Sequence, residues 1–347
     1  MSLSSTVLQD AIVIAQQQSG FMSYEQRLSN YGALQAFKDN ADRLLPSAQV
    51  EAMRKSYCTP EKILVMNKFN STIITAPNCN PTGAASSSAF YNLSWAFVGF
   101  EASIIPAVNQ ANYISDQADL ANQMLNGWRA IWANMDNSAV NKLETSKNTS
   151  LVTSSKTAVI NTVGNAYDYQ GDPEKFWLYA PGLMLINDLQ GPFNDVANSE
   201  SVSSFLLAET LGQNNYQDLR AAFNGTLPYA NGHRHYLTNR LAPGSHDESH
   251  FIFPDGTVGI YNWVDLDSKA GRTAGERSWG TMQDPYFGFE WSVFSRDTCT
   301  DASATCAGAT RAYTEIMQIG AWFSYLTPYS SDSTSPIIKV NFDANAS

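Results

Sequence analysis

Charge is what this sequence has least of. Only 15% of its 347 residues are Asp, Glu, Lys or Arg, against about 25% in ordinary soluble domains. The basic side is the poorer one, with 21 Lys and Arg against 32 Asp and Glu and a formal net charge of -11. Phosphate-backbone recognition needs clustered cations that displace counterions. The densest basic groupings here are only Arg234 with Arg240 and Arg272 with Arg277, so no sequence-specific nucleic-acid readout is expected. Long hydrophobic runs are missing too. The nearest approach, FYNLSWAFVGFEASIIPAV at 90–108, is interrupted by Asn92, Glu101 and Pro106, short of the ~18 apolar residues that a spanning helix needs.

The opening MSLSSTVLQDAIVIAQQQSG has no basic region of the kind that begins a signal peptide, and Asp10 precedes an apolar run of only AIVIA. A short amphipathic helix and a soluble protein made in the cytoplasm are the expectation. In that compartment the four cysteines, Cys58, Cys79, Cys299 and Cys306, are expected to be reduced. None of them forms a CxxC pair, although Cys299 and Cys306 are close enough to close a small loop. The N-x-S/T sequons at Asn70, Asn92, Asn148 and Asn224 are idle for the same reason. Catalytic signatures are absent: there is no GxSxG, no GxxxxGK[ST], no GxGxxG opening a helix and no cysteine with a suitably placed histidine.

What replaces charge is uncharged polarity, dense Asn, Ser, Thr and Gln, together with 12% aromatics (17 Phe, 16 Tyr, 8 Trp). Interface cores are depleted in charge and enriched in Tyr, Trp, Phe and Met, so this balance suits a subunit that buries much of its surface against other copies. A chain of this length predicts two or three lobes at about 100–200 residues each.

Residues 4–56 read as helical, broken at Gly20 and Pro46, with Leu28, Leu34, Phe37, Leu44 and Leu45 at near-helical spacing. ILVMNKFNSTIITA is β-branched between Pro60 and Pro77, and NCNPTG follows as a turn cluster, which predicts a hairpin or extended arm. From Asn109 to about Ser146, Ile114, Ala118, Ala121, Leu125, Trp128, Trp132, Met135, Ala139 and Leu143 fall on one stripe at spacings of three and four. A helix of that length is a rod of roughly 50 Å on which other elements can lie. KTAVINTVG and GTVGIYNWVDLD read as strands, and PGLMLINDLQG, SVSSFLLAETLG and NNYQDLRAAFNG as helices or strands ending at glycines. YFGFEWSVFSRD, TRAYTEIMQIGAWFSYL and SPIIKVNF make the C-terminal part strand-rich.

All four histidines fall in GHRHYLTNRLAPGSHDESH. His233-x-His235 on a strand and His246-x3-His250 on a helical turn are spacings that can share a metal, with Asp247 and Glu248 as further ligands. The HExxH arrangement is missing, and Pro243, Gly244 and Ser245 predict a turn, a poor place to preorganise four ligands. A polar loop is therefore the expected reading, and no catalytic, cofactor or metal residue is assigned. DLDSKAGRTAGE at 265–276 has the outer acids of a calcium loop but Lys269 and Ala270 where an oxygen ligand and a glycine are needed, so a turn explains it better. FWLY at 176–179, DPYFGFEW at 284–291 and AWFSYL at 321–326 could stack sugars, but at strand spacing they suit a core or a subunit interface.

The order of these elements resembles the major capsid proteins of tailed bacteriophages, the Hong Kong phage type of capsid fold, over nearly the whole chain. The resemblance lies in ILVMNKFNSTIITAPNC, the helix from Asn109 to Ser146, FWLYAPGLMLINDLQG with FIFPDGTVGIYNWVDLDSKAG, and FGFEWSVFSRDTC with SPIIKVNF. It implies an α+β capsid fold: an N-terminal helical arm (1–57), an extended β-hairpin arm with lead-in strands (58–108), a long spine helix with a strand of the peripheral β-sheet (109–172), a mixed α/β axial lobe (173–285) and returning peripheral-domain strands (286–347). It further implies a non-enzymatic subunit without cofactors, self-assembling into pentamers and hexamers around double-stranded DNA in a virion built in the host cytoplasm. Scaffolding, portal and decoration proteins are the partners such a subunit meets. Some members of that family crosslink an arm lysine to a neighbour's asparagine; Lys68 lies in the arm, but nothing marks its partner, and the chemistry is not carried over. The alternatives are an encapsulin-like compartment or a tail component, a metal-dependent hydrolase using His233, His235, His246 and His250, and a carbohydrate-binding surface protein.

Overall fold

The structure, a computed structural model, describes residue 13 and residues 31–60, 62–66, 88–105, 115–201, 234–284, 286–300, 312–327 and 335–343. Apart from Val13, the N-terminal helix expected before Gly20 lies outside them, as do the NCNPTG turn, Lys68, Cys79, Cys306, His233, the piece SVSSFLLAETLG beyond Ser201 and NNYQDLRAAFNG.

In chain order the elements are α1 (Gly32–Leu44), α2 (Ser47–Lys55), β1 (Lys62–Met66), β2 (Ser88–Asn92), β3 (Ala96–Ile104), α3 (Asp116–Ser146), β4 (Ile160–Val163), β5 (Ala166–Gln170) and α4 (Pro173–Ile186). There follow β6 (Phe193–Asn198), a short 3₁₀ turn (Ser199–Ser201), β7 (Arg234–Thr238), β8 (Glu248–Pro254), β9 (Gly259–Trp263) and α5 (Leu266–Lys269). β10 (Thr273–Ala274), β11 (Arg277–Gln283), β12 (Glu290–Thr300), β13 (Ala312–Leu326) and β14 (Ile338–Asp343) complete the described chain. β1 and β2 form an antiparallel pair with Lys62 opposite Asn92.

α3 carries the predicted helix. Its 31 residues begin at Asp116, where the Ser115 hydroxyl accepts from the Ala118 N–H and Asp116 and Asp119 meet the positive end of the helix dipole. Asn109–Ile114, the expected start, lies outside the described residues. Leu120, Ala121, Met124, Trp128, Ile131, Trp132, Met135, Ala139 and Leu143 are buried, one face of the 3.6-residue repeat. That face lies on an antiparallel sheet ordered β10-β11-β12-β13-β3, in which β9 also pairs with β13. Along β13, Met317, Ile319, Ala321 and Phe323 are buried at the two-residue period of a strand. Trp132, fully buried, contacts the rings of Tyr31, Trp128, Tyr286 and Phe287 at 4.8–5.9 Å. The aromatics of DPYFGFEW, Tyr286, Phe287, Phe289 and Trp291, are thus core, one of the two places the sequence suits them to.

The second sheet runs β4-β5-β14-β8-β6-β7, with a parallel pairing of β14 on β5 and of β7 on β6. α4 starts with Pro173 in its first turn and packs Phe176, Ala180, Leu183 and Met184 with Tyr169, Phe342 and Val340 of that sheet in a separate core.

Strand pairing departs from the expected boundaries. β9 and β11, expected in the axial lobe at 173–285, belong to the first sheet, while β14, expected among the peripheral strands at 286–347, sits between β5 and β8 in the second. β4 and β5, expected as peripheral, are also in the second sheet. Local pattern marks a strand but not its distant partner, so which sheet a strand joins is not legible along the sequence. GTVGIYNWVDLD likewise ends its strand at Trp263, and its Asp265 caps α5 by accepting from the Ser268 N–H at 2.9 Å.

Candidate functional site

The described histidines separate into two places. β6 is flanked by β8 on one side and β7 on the other, so Asp195 lies directly opposite His235 and within reach of His250. His235 Nδ1 is 2.6 Å from Asp195 Oδ2, and His250 Nδ1 is 3.2 Å from both Asp195 oxygens. On its other edge His250 Nε2 meets Glu248 Oε2 at 3.3 Å. Asp195 and His250 are fully buried, and His235 nearly so. This corrects the expectation of a polar loop: His235 and His250 are interior strand residues, and His250 sits in β8 instead of on a helical turn.

Burial opposes the ionisation of Asp195, yet the His250 and His235 imidazoles hold its carboxyl down to about 2. Burial likewise opposes charge on His250, but Asp195 and then Glu248 push it up to about 9. His250 is therefore an imidazolium at neutral pH, with a carboxylate at each nitrogen.

The third neighbour of His250 is Ser201, whose Oγ lies 3.4 Å from Nε2 and donates to Asn198 Oδ1 at 2.8 Å. Ser201, His250 and Asp195 share the order of a nucleophile, base and orienting acid. A protonated imidazole cannot take the serine proton, and all three side chains are shut away from solvent. The arrangement ties the 3₁₀ turn to the sheet. Asn198 completes the tie, its Oδ1 also accepting from the Ser249 N–H at 3.1 Å.

His246 goes elsewhere. It lies in the turn before β8, 3.0 Å from Asp343 Oδ2 at the end of β14 and 3.8 Å from Asp168 Oδ1 on β5. Among the described residues the histidines are not brought together as one metal or hydrolase site: His246 is in a different cluster from His235 and His250, and His233 is outside the described residues. Nothing in the local pattern marks Asp168, Asp195 or Asp343, which lie 78, 51 and 97 positions from His246. DLDSKAGRTAGE holds no calcium-loop geometry either, because Asp265 caps α5 and Asp267 pairs with Arg272 at 3.1 Å.

No family model matches the chain, and no curated protein does. Among solved structures it is similar to one from Mycobacterium phage Che8, 12% identical over 88% of this chain and 91% of that one, with a TM-score of 0.49. It is also similar to the capsid of Ralstonia phage GP4 (10% identical, 82% and 84% of the two chains, TM-score 0.48). A third is the capsid asymmetric unit of cyanophage Pam1 (9%, 85% and 87%, TM-score 0.46).

Proposed function

We propose that this chain is a structural subunit of an icosahedral virion shell, a major capsid protein of the tailed-phage type. The observation that carries the reading is α3, a 31-residue helix, about 46 Å long, laid by one face on a sheet whose β13 spans 15 residues. Such a beam-and-sheet body, with a second sheet built beside it and little surface charge, suits a subunit that must tile on every side.

In this reading α3 and the first sheet are the peripheral body. The second sheet with α4 is the axial lobe that surrounds capsomer axes, and the β1–β2 pair belongs to the arm that reaches a neighbour. Copies of the chain in pentamers and hexamers are its partners, with scaffolding, portal and decoration proteins as further ones, and the shell is assembled in the host cytoplasm. Double-stranded DNA lies inside without specific contacts. An acidic subunit fits that role, since packaged DNA must slide past the wall instead of sticking to it. The role is structural and not enzymatic.

The test is to express the full chain and measure its mass by size-exclusion chromatography with light scattering, then image it in negative stain. Closed shells, or rings of five or six, are expected. A protein that stays monomeric or dimeric from low to high salt and across micromolar to near-millimolar concentration would overturn the proposal.

A further inference from the structure

We propose that Asp168, His246 and Asp343 form a binding site for one divalent transition metal ion, zinc foremost, at the rim of the second sheet. Their ligand atoms all lie within 4.8 Å of one another. Tetrahedral zinc with bonds of about 2.0–2.2 Å sets ligand pairs roughly 3.3–3.6 Å apart. The two separations to His246 Nδ1, 3.0 Å from Asp343 and 3.8 Å from Asp168, bracket that spacing.

The backbone holds the three residues without strain. β14 runs parallel to β5 with Asn341 beside Asp168, and strand alternation returns Asp343 to the same face two residues on. The turn bearing His246 is pinned to the same strand end by the Asp247 N–H, which donates to the Phe342 carbonyl at 3.0 Å.

The second observation is Asp168 itself. Its side chain is only 10% exposed, yet its Oδ1 accepts no hydrogen bond and faces His246 Nδ1 at 3.8 Å. A buried carboxylate oxygen without a donor is costly. Here it is also set against a second carboxylate, and one imidazole cannot neutralise both. A divalent cation removes both penalties at once. Two carboxylates with one imidazole suit zinc better than calcium or magnesium, which take oxygen ligands throughout. His246 and Asp343, each about a quarter exposed, leave the ion open to water for its remaining positions.

The experiment is titration calorimetry of the metal-free full chain with zinc chloride, repeated on His246→Gln and Asp343→Asn, the two partly exposed ligands. Substitution by cobalt reads the ligand type by absorption. One zinc per chain, affinity reduced more than about tenfold in both variants, and a cobalt spectrum without thiolate charge-transfer bands are expected. No saturable zinc binding by the folded chain, undiminished binding by both variants, or a thiolate signature would overturn the site. Because the measurement is made per chain, it stands whether or not the chain assembles into shells.

Discussion

Asp195 is a buried acid whose charge is answered by strands on both sides of it, and its network depends on His250 staying protonated. Removing one partner from such a buried pair leaves the other charge uncompensated, at a cost of about 3–5 kcal/mol. His250→Ala is therefore expected to lower the stability of the chain by that order in urea denaturation, more than a simple cavity of its size. The pH dependence has two limbs. The folded value of His250, about 9, lies above its ordinary 6.5, so its contribution is complete below about pH 6.5 and fades as pH rises through about 9. Asp195 is held near 2 against an ordinary 3.8, so its share is complete above about pH 4 and fades as pH falls toward 2. Wild type should lose stability between pH 7 and 9.5, and the His250→Ala protein should show a much flatter limb over that range. Equal slopes in the two proteins would remove His250 from this account.

Among the elements, α3 shows how closely the helix and the sheet are fitted. Gly127 sits where β3 presses Phe100 onto the helix, and a methyl group there would come within 2.4 Å of the Phe100 ring. Phe100 is itself packed edge-on against Trp128, at 5.4 Å between ring centres. Alanine improves helix propensity by about 1 kcal/mol over glycine, but overpacking costs about 1–3 kcal/mol. Gly127→Ala is expected to lower the melting temperature. In a double-mutant cycle, Phe100→Ala should recover most of that loss, and additive losses would show that the ring is not the obstacle. The stripe of α3 was legible because burial on one face leaves a period, and the strands β12, β13 and β14 were legible from β-branched and aromatic runs bounded by turns. The pairing that carries β14 into the second sheet was not, since nothing in SPIIKVNF names β5 or β8 as its neighbours. The site residues failed the same way. The histidines drew attention by their crowding between 233 and 250, but Asp195 and Asp168 that give them their roles are single acids in unremarkable strands.

At the scale of the whole molecule, two buried carboxyls join the layers. Asp136, on α3, accepts from the Leu34 N–H of α1 at 2.8 Å and from the Thr238 hydroxyl of β7, so one side chain ties the long helix to a second helix and to the second sheet. Asp284, between β11 and β12, accepts from Trp132 Nε1 at 3.0 Å and from the Tyr286 N–H at 2.7 Å. Burial raises both to about 6, above the ordinary 3.8. The folded state then binds these protons more tightly than the unfolded chain does, so stability grows as pH falls from about 6 and the gain is complete below about 4. Between about pH 5 and 6.5 the Asp195 contribution is constant and that of Glu144, held below its ordinary 4.5, nearly so, while His250 adds a small slope of the same sign as its unfolded imidazole titrates around 6.5. Most of the slope in that window belongs to Asp136 and Asp284, with smaller parts from His250 and the raised Asp168. Urea midpoints should therefore rise from pH 6.5 to pH 5 in wild type and change much less in the Asp136→Asn, Asp284→Asn double variant. A wild-type midpoint that falls over that interval would mean that both carboxyls are stabilised in their charged form, and that the layers are joined by ions instead of by shared protons.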